Sequence, residues 1–346
     1  MKRRFKLTAL ILILAVLITS LSACGEGGSK DPVNGIYSFM QTQGRIDRDE
    51  SLTEAAFYQP GDSLTDWAFI FAALAGKESD AAKEEYLADL EAKVTAAYAA
   101  QGGLSDFRAT EWHRIALAIL VLGGDPTSFG TDAEGNKIDL IRDGIFCWKV
   151  TPELDSQGGN ALIYALLVLN AGDFEEPEDA VYTEDGILEK LLTYQGEDGS
   201  FGLAPGGGDV DVTAMSIQAL APYYGKGRND VDLAVDKALL FLSAEQVKGG
   251  YYLFGNGFSC ETCAQVILAL ASLGIDPEKD ERFIKAGKSP EDALMTFRND
   301  DGGFGTGFEN DGSLMKSEIE TSRQAGCALL ALRKLRETGN GQLFDL

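Results

Sequence analysis

The chain is predicted to be an all-α domain, six inner and six outer helices closed into a ring. Two observations predict it. Six times a short alanine- and leucine-rich helix begins just after a polar, often acidic, tripeptide, and six amphipathic segments alternate with those helices. The apolar set is greasy nearly all round, which suits helices buried on every side, whereas the amphipathic set has one face for water. Residues with strand-like alternation are confined to 250–258.

The inner helices start at Thr65-Asp66-Trp67, Thr110-Glu111-Trp112, Gly159-Asn160, Asp211-Val212-Thr213, Glu261-Thr262-Cys263 and Glu320-Thr321-Ser322. The outer helices are expected over 35–42, 81–100, 138–148, 186–194, 231–244 and 290–297. Between an outer helix and the next inner one lie Gln195-Gly196-Glu197-Asp198-Gly199-Ser200-Phe201-Gly202, the shorter run Gln246 to Tyr251, and Arg298-Asn299-Asp300-Asp301-Gly302-Gly303-Phe304-Gly305. Their glycines permit positive φ where a helix stops, and their aromatics are placed to pack between repeats.

The first residues stand apart. Lys2, Arg3, Arg4 and Lys6 precede an apolar stretch over 7–21, closed by Leu21-Ser22-Ala23-Cys24. That stretch is short for a membrane span. The closing tetrapeptide resembles a bacterial lipobox, which implies removal of the signal peptide 1–23 and a lipid on Cys24 that inserts into the bilayer. Residues 24–32 read as the lipidated cysteine and a flexible tether, and 33–346 as one domain held outside the cytoplasm. Gly25 is unlike the Asp that retains lipoproteins in an inner membrane, so a host with two membranes would send the chain to the outer one.

With 30 basic and 54 acidic residues the net charge is −24. Loss of 1–23 takes away four basic residues and no acidic one, leaving −28. Such a surface repels phosphate backbones and argues against nucleic acid as a partner. Cys147, Cys260, Cys263 and Cys327 are too scattered for a disulfide framework, although Cys260 and Cys263 leave a local disulfide open.

The Gln-x-x-Asp-Gly-Ser-Phe-Gly type of repeat, together with Asp209-Val210-Asp211-Val212-Thr213-Ala214, resembles the terpenoid cyclase and protein prenyltransferase superfamily of α/α toroids. The matching segments run from Thr65 to Leu335. Within it, the chain most resembles bacterial secreted prenyltransferase/squalene-oxidase-repeat proteins, whose relatives include cobalamin carriers of the intrinsic factor type. The resemblance implies an (α/α)6 toroid in which the inner helices start at one mouth.

Asp66, Trp67, Glu111, Trp112, Asn160, Asp209, Asp211, Glu261 and Glu320 are then the candidate ligand-binding residues. Each polar one also suits a helix start, as a cap or as a partner of the helix dipole. Six convergent starts make the mouth concave and able to hold a cation, a hydroxylated ligand or an amide. From the relatives, the expected ligand is a cobalamin-like corrinoid or another small molecule, a peptide or a glycan; no cofactor is fixed.

Catalysis finds less support. Class II cyclases protonate an alkene with the middle acid of Asp-x-Asp-Asp-Thr-Ala, and here Val212 replaces the third acid, so Asp211 as general acid is the alternative reading. Zinc prenyltransferases use an Asp, a Cys and a late His, but His113 is the chain's one histidine and lies in the second repeat. Asp132-Ala133-Glu134-Gly135-Asn136 reads as a turn rather than a calcium loop. A third alternative is a structural or adhesion scaffold whose mouth is plugged by its own loops, at 205–208 or 305–317.

Overall fold

The computed structural model describes residues 30–346 except 106 and 152. The signal segment 1–23, Cys24 and the tether as far as residue 29 lie outside the described residues. Eleven α-helices and a π-helical turn at Arg142–Phe146 supply the twelve helical members of the ring.

The inner layer is α2 (Ser63–Leu74), α4 (Ala109–Val121), α5 (Asn160–Ala171), α7 (Val210–Leu220), α9 (Cys260–Ser272) and α11 (Ile319–Thr338). Each packs on the next, and α11 packs on α2, so the ring closes. The seam needs a glycine: a side chain at Gly326 would run into the ring of Phe71, and without one α11 comes close enough to α2 to bury that phenylalanine fully. The outer layer is α1 (Pro32–Gly44), α3 (Asp80–Gln101), the π-helical turn, α6 (Glu184–Leu192), α8 (Asn229–Glu245) and α10 (Pro290–Met295). All six inner and six outer segments coincide with the predicted ones. The first outer helix packs on the last inner one, α1 on α11, which laps the ends of the chain together. Asp31 caps α1 by accepting from Val33 N, so the folded domain takes in residues that the sequence assigned to the tether.

Polar caps set the helix starts. Asp62, Ser79, Thr183, Asp209, Ser259 and Ser289 each accept a backbone N–H of the helix they precede, and Ser289 with Asp292 forms a reciprocal capping box. The core is continuous around the ring, and Phe39, Phe69, Phe71, Tyr86, Phe201 and Phe283 are among its largest fully buried side chains.

The repeat loops seal the seams between outer and inner layers. The Gln195 side chain donates to Gly199 O and to Ala234 O of α8, and Gln246 repeats this with Gly250 O and Phe283 O. The backbone N–H of the buried aromatic in each loop is received by one equivalent inner-helix position: Phe201 by Thr213, Tyr252 by Cys263, Phe304 by Ser322.

In one respect the all-α expectation is incomplete. Three two-stranded antiparallel hairpins stand at the start of the last three inner helices: β1 (Phe201–Ala204) with β2 (Gly207–Asp209), β3 (Leu253–Phe254) with β4 (Gly257–Phe258), and β5 (Phe304–Gly305) with β6 (Ser317–Glu318). Only the middle one lies in the segment whose alternation predicted it. The first turns at Pro205-Gly206, where φ of Gly206 is +80°, the proline-then-glycine order of a type II turn.

Candidate functional site

The inner helices begin at one end of the ring, and on five of the six a side chain one turn in faces its interior. Trp67, Tyr164, Met215, Gln265 and Gln324 line a small central chamber of about 50 Å³. Counting back four residues, the matching rim positions are Ser63, Asn160, Asp211, Glu261 and Glu320. Four of these are predicted site residues. The fifth is not: Asp66 lies a turn further in.

Asp66 is completely buried, accepting from Tyr86 Oη at 2.5 Å, Gly61 N at 2.7 Å and Arg114 Nε at 2.9 Å. The structure therefore places it in a saturated ion-paired network that joins α2 to α3 and α4, away from the mouth. Removing one member of such a buried pair leaves the other uncompensated. Trp112 also departs from its expected place. Its ring points to the outer layer, against Gly103 and Gly144, edge-on to Tyr98 and Trp148, with Nε1 donating to Ser105 O. Glu111 is half-buried in the first turn of α4. In the first repeat the rim position is thus Ser63, three residues before Asp66, and the predicted residue lies deeper in its helix than Asp211 does.

Trp67 does reach the chamber, where the Arg323 guanidinium lies over its ring at 4.7 Å and Tyr164 sits 6.0 Å away. Arg323 also pairs with Glu320, its Nε 3.0 Å from Oε2. Glu261 accepts from Thr321 Oγ1 and from Ser259 Oγ. The rim is thus not uniformly acidic: on α9 and α11 its charges are already engaged. A relay of amides crosses the chamber, Gln218 donating to Gln265 and Gln265 to Gln324, both at 2.9 Å.

Open acceptor capacity is concentrated on α5 and α7. Asn160 Oδ1 and Asp211 Oδ1 are buried and have no hydrogen-bond partner. These atoms belong to matching positions of neighbouring helices. Burial pushes the Asp211 carboxyl up to about 6; Thr262 pulls it down, and Asp209 and Glu261 add to the rise. Asp209 itself caps α7, accepting from Val212 N at 2.8 Å. Asp209 and Asp211 open onto a groove of about 390 Å³ outside the ring rather than onto the chamber.

The other end of the ring is closed by the C-terminal tail. Leu343 and Phe344 pack beneath the chamber against Leu167, Gln218 and Leu268. Lys334 Nζ pins the tail by donating to Gln342 O and Asp345 O. The plug is thus neither 205–208 nor 305–317, and it sits opposite the mouth.

Tyr164, Arg323 and the three glutamines were missed from the sequence. For Tyr164, Gln265 and Gln324 the available signal was the four-residue step from the rim residue, just over one helical turn; Arg323 and Gln218 lie three and seven residues along.

Cys260 and Cys263 are both buried free thiols, not a disulfide, and burial drives the Cys263 thiol up to about 12. His113 is buried with Nε2 3.0 Å from Gly144 O, and burial lowers it to about 4, so the ring is neutral. Asp132 closes a turn by accepting from Glu134 N and Asn136 N.

No protein-family model and no curated protein matches the chain. Among solved structures, it is similar to the type II terpene cyclase MstE from Scytonema, at 13% identity and TM-score 0.51, over 88% of this chain and 98% of that one. Candida albicans protein geranylgeranyltransferase-I, solved in complex with GGPP, is similar at 12% identity and TM-score 0.52, over 90% of this chain and 94% of that one. The ent-copalyl diphosphate synthase from Streptomyces platensis gives 19% identity and TM-score 0.46; the chain covers 50% of its length and 77% of its own. At these identities the likeness establishes the fold, an α/α toroid of the kind found in terpene cyclases and protein prenyltransferases.

Proposed function

We propose that this chain is an envelope lipoprotein, anchored through Cys24 outside the cytoplasm, that binds a ligand at the mouth of the toroid without transforming it. One observation carries the reading: Asn160 Oδ1 and Asp211 Oδ1, at matching positions of adjacent inner helices, are buried acceptors left without partners. A buried acceptor with no donor costs about 1–3 kcal/mol, and a ligand that supplies the donor recovers it. The size of the interior supports binding over chemistry. A chamber of about 50 Å³, floored by Leu343 and Phe344, encloses no substrate of the size expected for a cyclase.

Acid catalysis by Asp211 is the second reading, favoured by a carboxyl held at about 6. It is weakened by Val212 at the third acid of the motif and by an Asp211 that faces an open groove, where water reaches any carbocation.

The test is calorimetric titration of the purified full-length protein with cyanocobalamin, neutral oligosaccharides and short peptides. The expected result is binding of one of these, lost in the Asn160→Ala/Asp211→Ala double variant. Unchanged binding in that variant removes the mouth as the site.

A further inference from the structure

The groove that Asp211 opens onto has a lining that specifies the chemistry of its ligand. Its walls are Asp209 and Asp211 at the start of α7, Phe241 and Glu245 in the last turn of α8, and Leu253 and Phe254 on the β3–β4 hairpin. Three of the lining side chains are carboxylates and none is a lysine or arginine. Glu245 is the last residue of α8, at the end where the helix dipole is negative, and that last turn has no basic residue and no capping backbone N–H. Carboxylates of two elements therefore line one space with no basic residue among them. Asp211 lines the same space, with its Oδ1 buried beneath it and without a partner.

The remaining wall is apolar and wet. Phe254 is 70% exposed and Leu253 40% exposed, side by side on a hairpin whose turn has Gly255 at φ +61°. Two large apolar side chains held in water over an acidic groove form a contact surface without an occupant.

We propose that this groove binds an amphipathic organic cation, its ammonium or guanidinium group between Asp211 and Glu245 and its apolar body against Phe241, Leu253 and Phe254. The proposal rests on the reading of the mouth as a binding surface and names the ligand class of its α7–α8 sector. The aromatic rings add a cation–π contribution, and the carboxylates exclude anions. A free amine and a basic side chain of a polypeptide carry the same head group. The groups facing Asp211 are Asp209 of β2, Glu261 and Thr262 of α9, and across the groove Glu245 of α8. With three acids around it, the cation is held best once Asp211 has ionised.

The test titrates the full-length protein with benzyltrimethylammonium, agmatine and an Arg-Phe amide at pH 7.5 and at pH 5. The expected result is saturable binding of at least one probe, weakened about tenfold or more by Glu245→Gln and by Phe254→Ala, and weaker at pH 5. Both substituted residues are exposed, so the circular dichroism of the variants stays that of the parent. Binding of the dipeptide amide alone identifies the polypeptide source, and binding of the small amines the free one. Wild-type binding by both variants overturns the proposal. So does failure of all three cations while a neutral oligosaccharide or cyanocobalamin binds in an Asn160-dependent way, an outcome that leaves the mouth as a binding surface. If neither class binds, both readings fall.

Discussion

Asp211 holds its proton more tightly than a carboxyl in water because folding strips most of its hydration, and Asp209 and Glu261 stand nearby with the same charge. Burial pushes the folded carboxyl up to about 6 from its ordinary 3.8, so the folded state binds the proton more strongly than the unfolded chain does. The stabilisation is therefore fully present below about pH 4 and is lost as the pH rises through about 6. Near neutral pH the ionised group works against the fold by about 2 kcal/mol once partial screening by solvent is allowed for. Asp211→Asn keeps the shape and removes the titration. We expect urea denaturation to show the variant more stable than the parent at pH 7.5, by about 1–2 kcal/mol, and level with it near pH 4. A variant less stable at pH 7.5 would mean that the carboxylate is held by hydrogen bonds stronger than its burial cost. That a residue so placed works against stability is what a site built for a ligand predicts. Asp66 makes the opposite case at the same scale: equally acidic in the sequence, it is saturated by Tyr86, Arg114 and Gly61 and has no capacity left over.

Among the elements, the inner and outer helices were legible and the hairpins largely were not. Helix periodicity and caps are local properties, so α7 and α9 could be found from Asp209 and Ser259 with the apolar runs behind them. Register around the ring is not local. Whether Asp66 or Ser63 shares a level with Asp211 depends on how far α2 slides along its neighbours, which the local pattern of one helix does not fix. The strands of β5–β6 have two residues each, too short for alternation to register. The C-terminal tail was illegible for another reason: Leu343 and Phe344 are two apolar residues without periodicity, and only the closed ring gives them a hole to fill. The loops that link the layers can be probed through two glycines that share a positive φ. Gly250 has φ +85°, and a methyl group there would land in the carbonyl of Ser289, whereas Gly255 has φ +61° with nothing within 4 Å. Alanine costs about 1–2 kcal/mol at either position from the left-handed backbone alone. At Gly250 the clash adds about 2 kcal/mol. Denaturation midpoints should therefore fall much further for Gly250→Ala than for Gly255→Ala; equal losses would show that the seal against α10 is loose.

At the scale of the whole molecule, the chain enters the toroid on the face opposite the mouth. Asp31, the cap of α1, pairs with Arg333 at 3.1 Å. Arg333 is fourteen residues beyond Ile319, the mouth end of α11, and a helix of that length rises about 20 Å. Lys334 and the tail that it pins lie on the same face. With Cys24 lipidated, as proposed, the six residues between it and Asp31 give the domain a reach of about 25 Å from the bilayer. The tail face then looks at the membrane, and Leu253, Phe254 and the acidic groove look away from it. If the proposed anchor holds the tail face to the bilayer, the exposed aromatic meets ligands from solvent and stands about a helix length from the lipid. The orientation can be read from a fluorophore on a single introduced cysteine, because the four native ones among the described residues are buried. On vesicles carrying a headgroup quencher, lipidated protein labelled at Leu346→Cys should be strongly quenched and protein labelled at Phe254→Cys much less. The reverse order would put the mouth against the bilayer and make the apolar hairpin a membrane contact, in which case the groove would be closed to soluble cations whenever the protein is anchored.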